Sequence, residues 1–491
     1  MAVPKPFAAP AVQGTPGGAL RVAFRSEPGS LDPHKIITTT DISFRRMVFS
    51  GLTEEAISGD VQAALAESWE APSPQTYIFK LRRGAKFHDG TEVTSDAVQA
   101  SFQRAADPAT GAAAAVRAIA ARAAKITTPD PYTVQFDLAE PNGVFLADVG
   151  EISIVPKNFD VAKPIGTGPF QFVDWVRNQQ VSFKKFDGYF RQGYPFLDTV
   201  TFRTVPDEDQ KLSLLRTGQL DFVEVIPLPR VEDLQKEGKY PLVMIDDETK
   251  PSSYICRINC AKAPLDNPKV RQAINYALDR EAMLDINFGF GGIKSNFVPT
   301  KHWAFNPSAR SYNTRDLAMS KKLLAEAGHG SGLTIELKHH TVDATYTSLA
   351  QLIQAQLGEA GIKVNLVAME LGVWVDTVFS KKDFQLAQSG NSVRADPDAI
   401  FSDMYDQSRV NGGSIGWKND EAQRLLGEGR TSLDREARKR IYFRLQEIIQ
   451  EESPILIMNG IPFPQAATPA VQGYQSDLRN STAFETTSLK R

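Results

Sequence analysis

The segment Gly412-Gly-Ser-Ile-Gly416 has the G-x-S-x-G spacing of a nucleophile elbow. That chemistry needs a strand leading into the serine and a helix leaving it, so that the hydroxyl stands exposed on a tight turn. Here the preceding Gln407-Ser-Arg-Val-Asn411 is polar and Trp417-Lys-Asn419 follows, so a loop is expected and Ser414 is not expected to act as a hydrolase nucleophile. The six histidines, His34, His88, His302, His329, His339 and His340, form no H-E-x-x-H pair. Adjacent His339 and His340 would point to opposite sides of a strand end, a poor geometry for holding one metal ion, so no metal site is expected. Neither a P-loop nor a G-x-G-x-x-G turn occurs, and nothing implies a nucleotide or other cofactor. Carboxylate pairs such as Asp246-Asp247 and Asp396 with Asp398 sit in loop-like surroundings and read as solvated. No catalytic constellation emerges, and the chain is not read as an enzyme.

Cys256 and Cys260 lie in Tyr254-Ile-Cys-Arg-Ile-Asn-Cys260, which mixes apolar and polar residues as a strand does. Four residues of strand span roughly 13 Å, beyond the roughly 7 Å reach of a disulfide, so the two thiols are expected to stay free. Aromatic residues are more informative. Trp303, Trp374, Trp417 and Tyr405 stand beside Gly, Asn and Asp instead of in apolar stripes. Such side chains combine a large flat contact surface with a hydrogen-bonding tip and can line a polar ligand site.

The chain that must position these groups has 491 residues, enough for about three domains. Its 55 Lys and Arg against 58 Asp and Glu leave a net charge of -3, without the basic field of a nucleic-acid binder. No apolar run approaches the roughly 18 residues of a membrane span. Residues 1–17, with Pro4, Pro6, Pro10 and Pro16, read as a flexible leader without the basic and apolar regions of a signal peptide.

Beyond the leader the periodicities are clear. Ala19 to Phe24, Tyr77 to Leu81 and Tyr132 to Leu138 alternate as strands, and Thr94 and Ser95 are placed to cap a helix bearing Val98 and Phe102. Val181 to Phe186 and Val200 to Val205 are further strands, with a helix over Gln210 to Leu220. From about 251 the pattern turns to amphipathic helices, with stripes through Val270, Ala273, Ile274 and Ala277 and through Ile441, Leu445, Ile448 and Ile449. Leu333 to Ala368 predicts strand, helix and strand, the helix ending at Gly361. That is a βαβ unit with a parallel strand pair. Open α/β sheets bind ligands beyond the carboxyl ends of their strands, which places His339 to Ala344 beside a ligand site.

An ordered set of local patterns then resembles a family. It comprises Gly17-Gly-Ala-Leu-Arg-Val-Ala23, Leu31-Asp-Pro33, Val48-Phe-Ser-Gly-Leu-Thr53 and Leu65-Ala-Glu-Ser-Trp69. Tyr77-Ile-Phe-Lys-Leu-Arg-Arg-Gly-Ala-Lys-Phe-His-Asp-Gly90 with Thr94-Ser-Asp-Ala-Val98 looks like the family's signature segment. Gly166-Thr-Gly-Pro-Phe170, Gly218-Gln-Leu-Asp221, and Pro264-Leu-Asp266 leading into Val270 to Arg280 complete it. Together they resemble the extracytoplasmic solute-binding proteins of ABC importers, family 5, the peptide/nickel/opine class. The resemblance covers the chain after residue 17.

It implies an α/β fold of the periplasmic-binding-protein type II kind, with two lobes joined by a two-strand hinge and an extra α+β subdomain. The expected division is 18–52, 165–250 and 469–491 for lobe I, 53–164 for the inserted subdomain and 251–468 for lobe II. The crossings would fall near Lys250-Pro-Ser-Ser253 and Pro464 to Thr468. It also implies export, a periplasmic or lipid-anchored extracellular location, a monomer that closes on a small-molecule ligand, and delivery to the permease subunits of an ABC importer. The expected ligand-binding residues are Glu27, Tyr254, Asn259, Trp374, Asn391, Arg394 and Trp417.

Peptide binders of the class hold the ligand's α-ammonium with an Asp three residues before the Asp-Pro of a turn. In Asn391-Ser-Val-Arg-Ala-Asp-Pro-Asp398 that position is Val393, which cannot pair an ammonium, and a buried unpaired ammonium is costly. Arg394 beside it suits a carboxylate or phosphate. A small polar organic solute with an anionic group, opine-like or another conjugated metabolite, is therefore the expected ligand. An oligopeptide or dipeptide is the alternative.

Overall fold

Alternating residues Ala19 to Phe24 form the central strand of the first of two units into which the chain divides, residues 1–245 with 463–491 and residues 246–462. The computed structural model describes residues 13–35, 38–56, 60–243, 252–391, 396–476 and 482–490.

In the first unit, Ala19–Phe24 pairs in parallel with Thr199–Thr204 on one side and Phe222–Val223 on the other. The strands Gln180–Lys185 and Phe170–Val176 extend the sheet on the Thr199 side; Gln465–Ala467 and Leu242–Val243 extend it beyond Phe222. Leu20, Val22 and Phe24 point into a core with Phe44, Phe183, Phe202 and Phe222. Gln465–Ala467 was expected with lobe II, whose boundary was set at 468. It is instead a buried strand that hydrogen-bonds Phe222–Val223, so the chain returns to the first unit at 463.

The expected subdomain between 53 and 164 has its own antiparallel sheet, in the order Ala66–Ser73, Thr76–Leu81, Thr133–Leu138, Ala123–Asp130. Tyr77, Phe79 and Leu81 are buried on one face of it, and helix Ser95–Ala106 contributes Phe102, whose ring lies 4.7 Å from that of Phe136. Thr94 occupies the N-cap position without capping by its side chain; Ser95 Oγ donates to Asp130 O instead.

Three of the sequence patterns meet at one point. His88 Nε2 lies 3.0 Å from Gly168 O, and Gly166 N donates to His88 Nδ1. A Cβ on Gly166 would fall 2.0 Å from Val48 O and one on Gly168 2.6 Å from Met47 O, so both glycines permit a backbone approach that no side chain allows.

The second unit holds a five-stranded sheet in the order Ile362–Met369, Leu333–His340, Leu386–Asn391, Ser253–Ile258, Ile455–Gly460. Leu333–His340 runs parallel to both neighbours, and Ser253–Ile258 is antiparallel to both of its own. Four carboxyl ends and the amino end of Ser253–Ile258 therefore share one edge. The βαβ reading holds: helix Ala344–Glu359, capped by Asp343 and followed by Gly361 at a φ of 90°, links the parallel strands. Helices Pro268–Ala277, Leu317–Glu326 and Ala344–Glu359 contribute to the core on one sheet face. Pro397–Tyr405, Asp420–Thr431 and Arg435–Glu452 contribute to the core on the other.

Candidate ligand-binding site

Strand geometry sorts the expected residues before any side-chain chemistry does. Tyr254 lies at the amino end of its strand and Asn259 just past the other, so roughly 17 Å of extended chain separates them. Ser253 faces Asn391 in the ladder, and Tyr254 faces Gly390. Tyr254 and Asn391 thus stand at the carboxyl edge of the sheet and Asn259 at the opposite edge. There Asn259 serves its own turn, donating to Lys382 O at 3.1 Å and accepting from Ala261 N. Trp417 is also a packing residue. It is buried, its indole N–H donates to Glu452 at 2.5 Å, and its ring lies 5.7 Å from that of Tyr405. Nearby Gly, Asn and Asp made Trp417 look like part of a loop site; its position places it in the core.

At the carboxyl edge the aromatic side chains form a row. Tyr254 meets Tyr346 with centroids 5.5 Å apart, Tyr346 meets His340 at 4.1 Å, His340 meets Trp374 at 5.3 Å and Trp374 meets Phe379 at 5.7 Å. His340 ends the strand Leu333–His340, Tyr346 sits in the first turn of the following helix, and Trp374 lies in the short helix Leu371–Val375. Desolvation, with neighbouring His339, lowers the pKa of His340 and favours the neutral imidazole. Burial raises the Tyr346 hydroxyl to about 12, so it too stays neutral and can donate.

Buried polar atoms without hydrogen-bond partners surround this row: Ser253 Oγ, His340 Nδ1, Trp374 Nε1, both amide atoms of Gln388, Ser389 Oγ, Asn391 Nδ2 and Asn459 Oδ1. An unsatisfied buried polar atom costs about 1–3 kcal/mol, and native interiors contain few. On this sheet they are groups that can receive a hydrogen-bonding ligand at the carboxyl ends of the strands. Next to the row, Arg257 packs its guanidinium 5.2 Å from the Phe379 centroid, with its Nε unpaired. Burial pushes Arg257 down to about 10 despite the attraction of Asp403.

Arg394 and Val393 lie outside the described residues. The acid that follows them is committed elsewhere: Asp396 caps helix Pro397–Tyr405 and accepts from Arg438 Nη2 at 2.6 Å. Ser414 closes a short helix, and its hydroxyl donates to Asn411 O. Cys256 and Cys260 are free thiols, raised by burial to about 12 and about 11. Among the described residues no cluster of His, Cys, Asp and Glu could hold a metal ion.

In the first unit, Glu27 follows the carboxyl end of the central strand. Its carboxylate accepts from Trp175 Nε1 at 2.9 Å and Asn178 N at 2.8 Å, with Arg177 at 3.6 Å. Burial works against ionisation, but these three donors hold its carboxyl below the ordinary range. Glu27 therefore anchors the hairpin of Phe170–Val176 and Gln180–Lys185. Glu224, at the same sheet edge, is pushed by burial to about 8, with Lys211 opposing in part.

Tyr254, Trp374 and Asn391 are thus brought together, while Asn259, Trp417 and Glu27 have structural work. Tyr346, Gln388, Ser389, Ser253 and Asn459 were not anticipated. A signal was present for two of them: the apolar start of Leu386–Asn391 gives way to Gln-Ser-Gly-Asn, an unusual polar end for a buried strand.

Residues 60–412 match the family described as bacterial extracellular solute-binding proteins, family 5 (middle region). The chain belongs to this family. It is 30% identical to heme-binding protein A of Haemophilus influenzae, over 91% of this chain and 88% of that one. It is 29% identical to the glutathione-binding protein GsiB of Escherichia coli K12, over 88% and 87%. The structure of HbpA2 from Haemophilus parasuis superposes with a TM-score of 0.88 at 25% identity, covering 96% of this chain and all of that one. The fold is that of the type II periplasmic binding proteins. Proteins of the family are extracytoplasmic, bind small ligands and work with ABC permeases. No helix among the described residues is long and apolar enough to cross a membrane.

Proposed function

We propose that this solute-binding protein captures a small organic solute bearing an anionic group, opine-like or another conjugated metabolite, and delivers it in the periplasm to the permease of an ABC importer. The supporting observation is the set of unpartnered buried polar atoms around the Tyr254–Tyr346–His340–Trp374 row. Ser253, Gln388, Ser389, Asn391 and Asn459 supply hydroxyl and amide groups for its polar atoms, and Arg394 the charge for its acid. Heme and glutathione, named for the relatives' ligands, are both metabolites with carboxylates. Similarity to a glutathione-binding protein also favours a second reading, a short anionic peptide.

A thermal-shift screen separates the two, with opines, sugar phosphates, acidic sugars and aromatic acids set against di- and oligopeptides. A ligand at about 100 times its Kd stabilises by roughly 2.7 kcal/mol, enough to displace the melting curve. Shifts with the anionic non-peptides alone support the first reading; shifts with peptides alone support the second and end the first. Arg394→Ala should raise the Kd of the anionic ligand at least tenfold with Tm unchanged, and an unaltered Kd removes Arg394 from the site.

A further inference from the structure

Among the described residues of the second unit four arginines are buried: Arg257, Arg271, Arg280 and Arg438. Three commit their donors inside the protein. Arg280 donates to Lys294 O, Ile457 O, Tyr312 O and Asn275 Oδ1, and Arg271 to Glu452 O, Leu265 O and Asp266 O. Arg438 donates to Asp396 Oδ1 and Gly429 O. Arg257, 3% exposed, differs. Its Nη1 meets Met404 Sδ at 3.9 Å, a weak acceptor, and its Nε is buried without a partner. Asp403 attracts it without a hydrogen bond, and the ring of Phe379, from the π-helical turn Asp376–Ser380, lies 5.2 Å away. Buried charges are normally paired and hydrogen-bonded, because leaving one bare is costly.

Two hydroxyls next to Arg257 are in the same condition. Ala387 faces Arg257 across the ladder and Ser389 faces Ile255, so Ser389 is a diagonal neighbour of Arg257 on one sheet face. Such neighbours stand about 7–8 Å apart, within reach of a long side chain. Tyr405 follows Met404 on helix Pro397–Tyr405, and its hydroxyl interacts electrostatically with Arg257. Burial raises the pKa of Tyr405, so the hydroxyl stays protonated and can donate. Ser389 Oγ and Tyr405 Oη are both buried without a partner. By strand alternation Ser253 and Asn391 lie on this same face, so unpartnered polar atoms run from the carboxyl edge inward to the guanidinium. One cationic and two neutral donors, with no acid bonded to them, complement an anion.

We propose that Arg257 is an anion-binding residue, whose guanidinium, with Ser389 and Tyr405, receives a carboxylate, either a free small ion or the acid of the bound solute. The first source is independent of the function proposed above; the second rests on that reading and places a buried cation in the site besides Arg394.

Formate, the smallest carboxylate, is the probe. In thermal melts of the full chain, rising sodium formate should raise the wild-type Tm to a plateau. Arg257→Met should abolish that rise, while Arg444→Met, which removes an exposed guanidinium of the same unit, should keep it. Tyr405→Phe removes only a hydroxyl and should weaken the half-saturating formate concentration about fivefold. No saturable rise in the wild type, or an unaltered one in Arg257→Met, overturns the proposal. If Arg257→Met also binds an anionic member of the thermal-shift panel at least tenfold more weakly, the carboxylate is the solute's acid. If it binds that member as the wild type does, while formate no longer acts, the site is one for a free ion. If formate acts through Arg257 and no anionic panel member stabilises the protein, Arg257 keeps its role and the anionic solute falls.

Discussion

Arg257 carries a charge into the core of the second unit, on the sheet face opposite Tyr254. Its Nη1 has a sulfur contact at 3.9 Å to Met404, its Nε has no partner, and Phe379 supplies a ring face. A buried cation so weakly compensated is held at a cost in stability, and apolar replacement of buried charges is often neutral or stabilising by about 1–4 kcal/mol. Arg257→Met should therefore leave Tm unchanged or raise it in a thermal melt. A fall in Tm would show that Asp403 and Phe379 compensate the charge after all.

The strand Leu386–Asn391 connects packing to recognition through one glycine. Gly390 lies opposite Tyr254, and a Cβ there would stand 2.6 Å from the Tyr346 hydroxyl and 3.2 Å from Ile461 Cδ1. Glycine inside a strand weakens it and marks a close approach, here of Tyr346 over the sheet. Gly390→Ala must displace Tyr346, breaking the row between Tyr254 and His340. The expected cost is about 1–3 kcal/mol in urea unfolding, together with at least a tenfold loss of affinity for whichever ligand stabilises the wild type. Unaltered affinity would take Tyr346 out of the site.

Across the molecule, buried ionisable groups set the pH range of stability. His88, clamped between Gly166 and Gly168, is pushed by burial from 6.5 to about 4, and His34 behaves alike. The unfolded chain takes up a proton first as pH falls from 6.5, so this stability is present above 6.5 and lost towards pH 4, about 3 kcal/mol for one such histidine. Glu224 acts in the opposite direction. Its folded value is about 8 against 4.5, so the folded state keeps a proton that the unfolded chain sheds, and stability declines as pH rises between those values. Melting curves across pH should show a smaller loss of stability below pH 6.5 in His88→Gln and a smaller decline between pH 4.5 and about 8 in Glu224→Gln. Wild-type slopes in both variants would place the titrating groups elsewhere.

Local physics was legible in the residues themselves. Apolar periodicity predicted the βαβ unit from Leu333 and the helix stripes through Val270 and Ile441, because burial of one face repeats every turn or every second residue. The ordered glycine, histidine and proline patterns carried the family, and the structure shows a cause for some of them in the close approach of Val48, His88, Gly166 and Gly168. The site was only partly legible. Tyr254, Trp374 and Asn391 stand together because Leu386–Asn391 inserts between Leu333–His340 and Ser253–Ile258, the latter a pairing between residues more than a hundred positions apart. Asn259 is five residues from Tyr254 yet at the other sheet edge, and Trp417 hides its indole against Glu452. Side-chain type and local spacing were set by the sequence alone. Which strand ends share an edge, and which buried polar atoms go without a partner, were decided by non-local pairing in the tertiary structure.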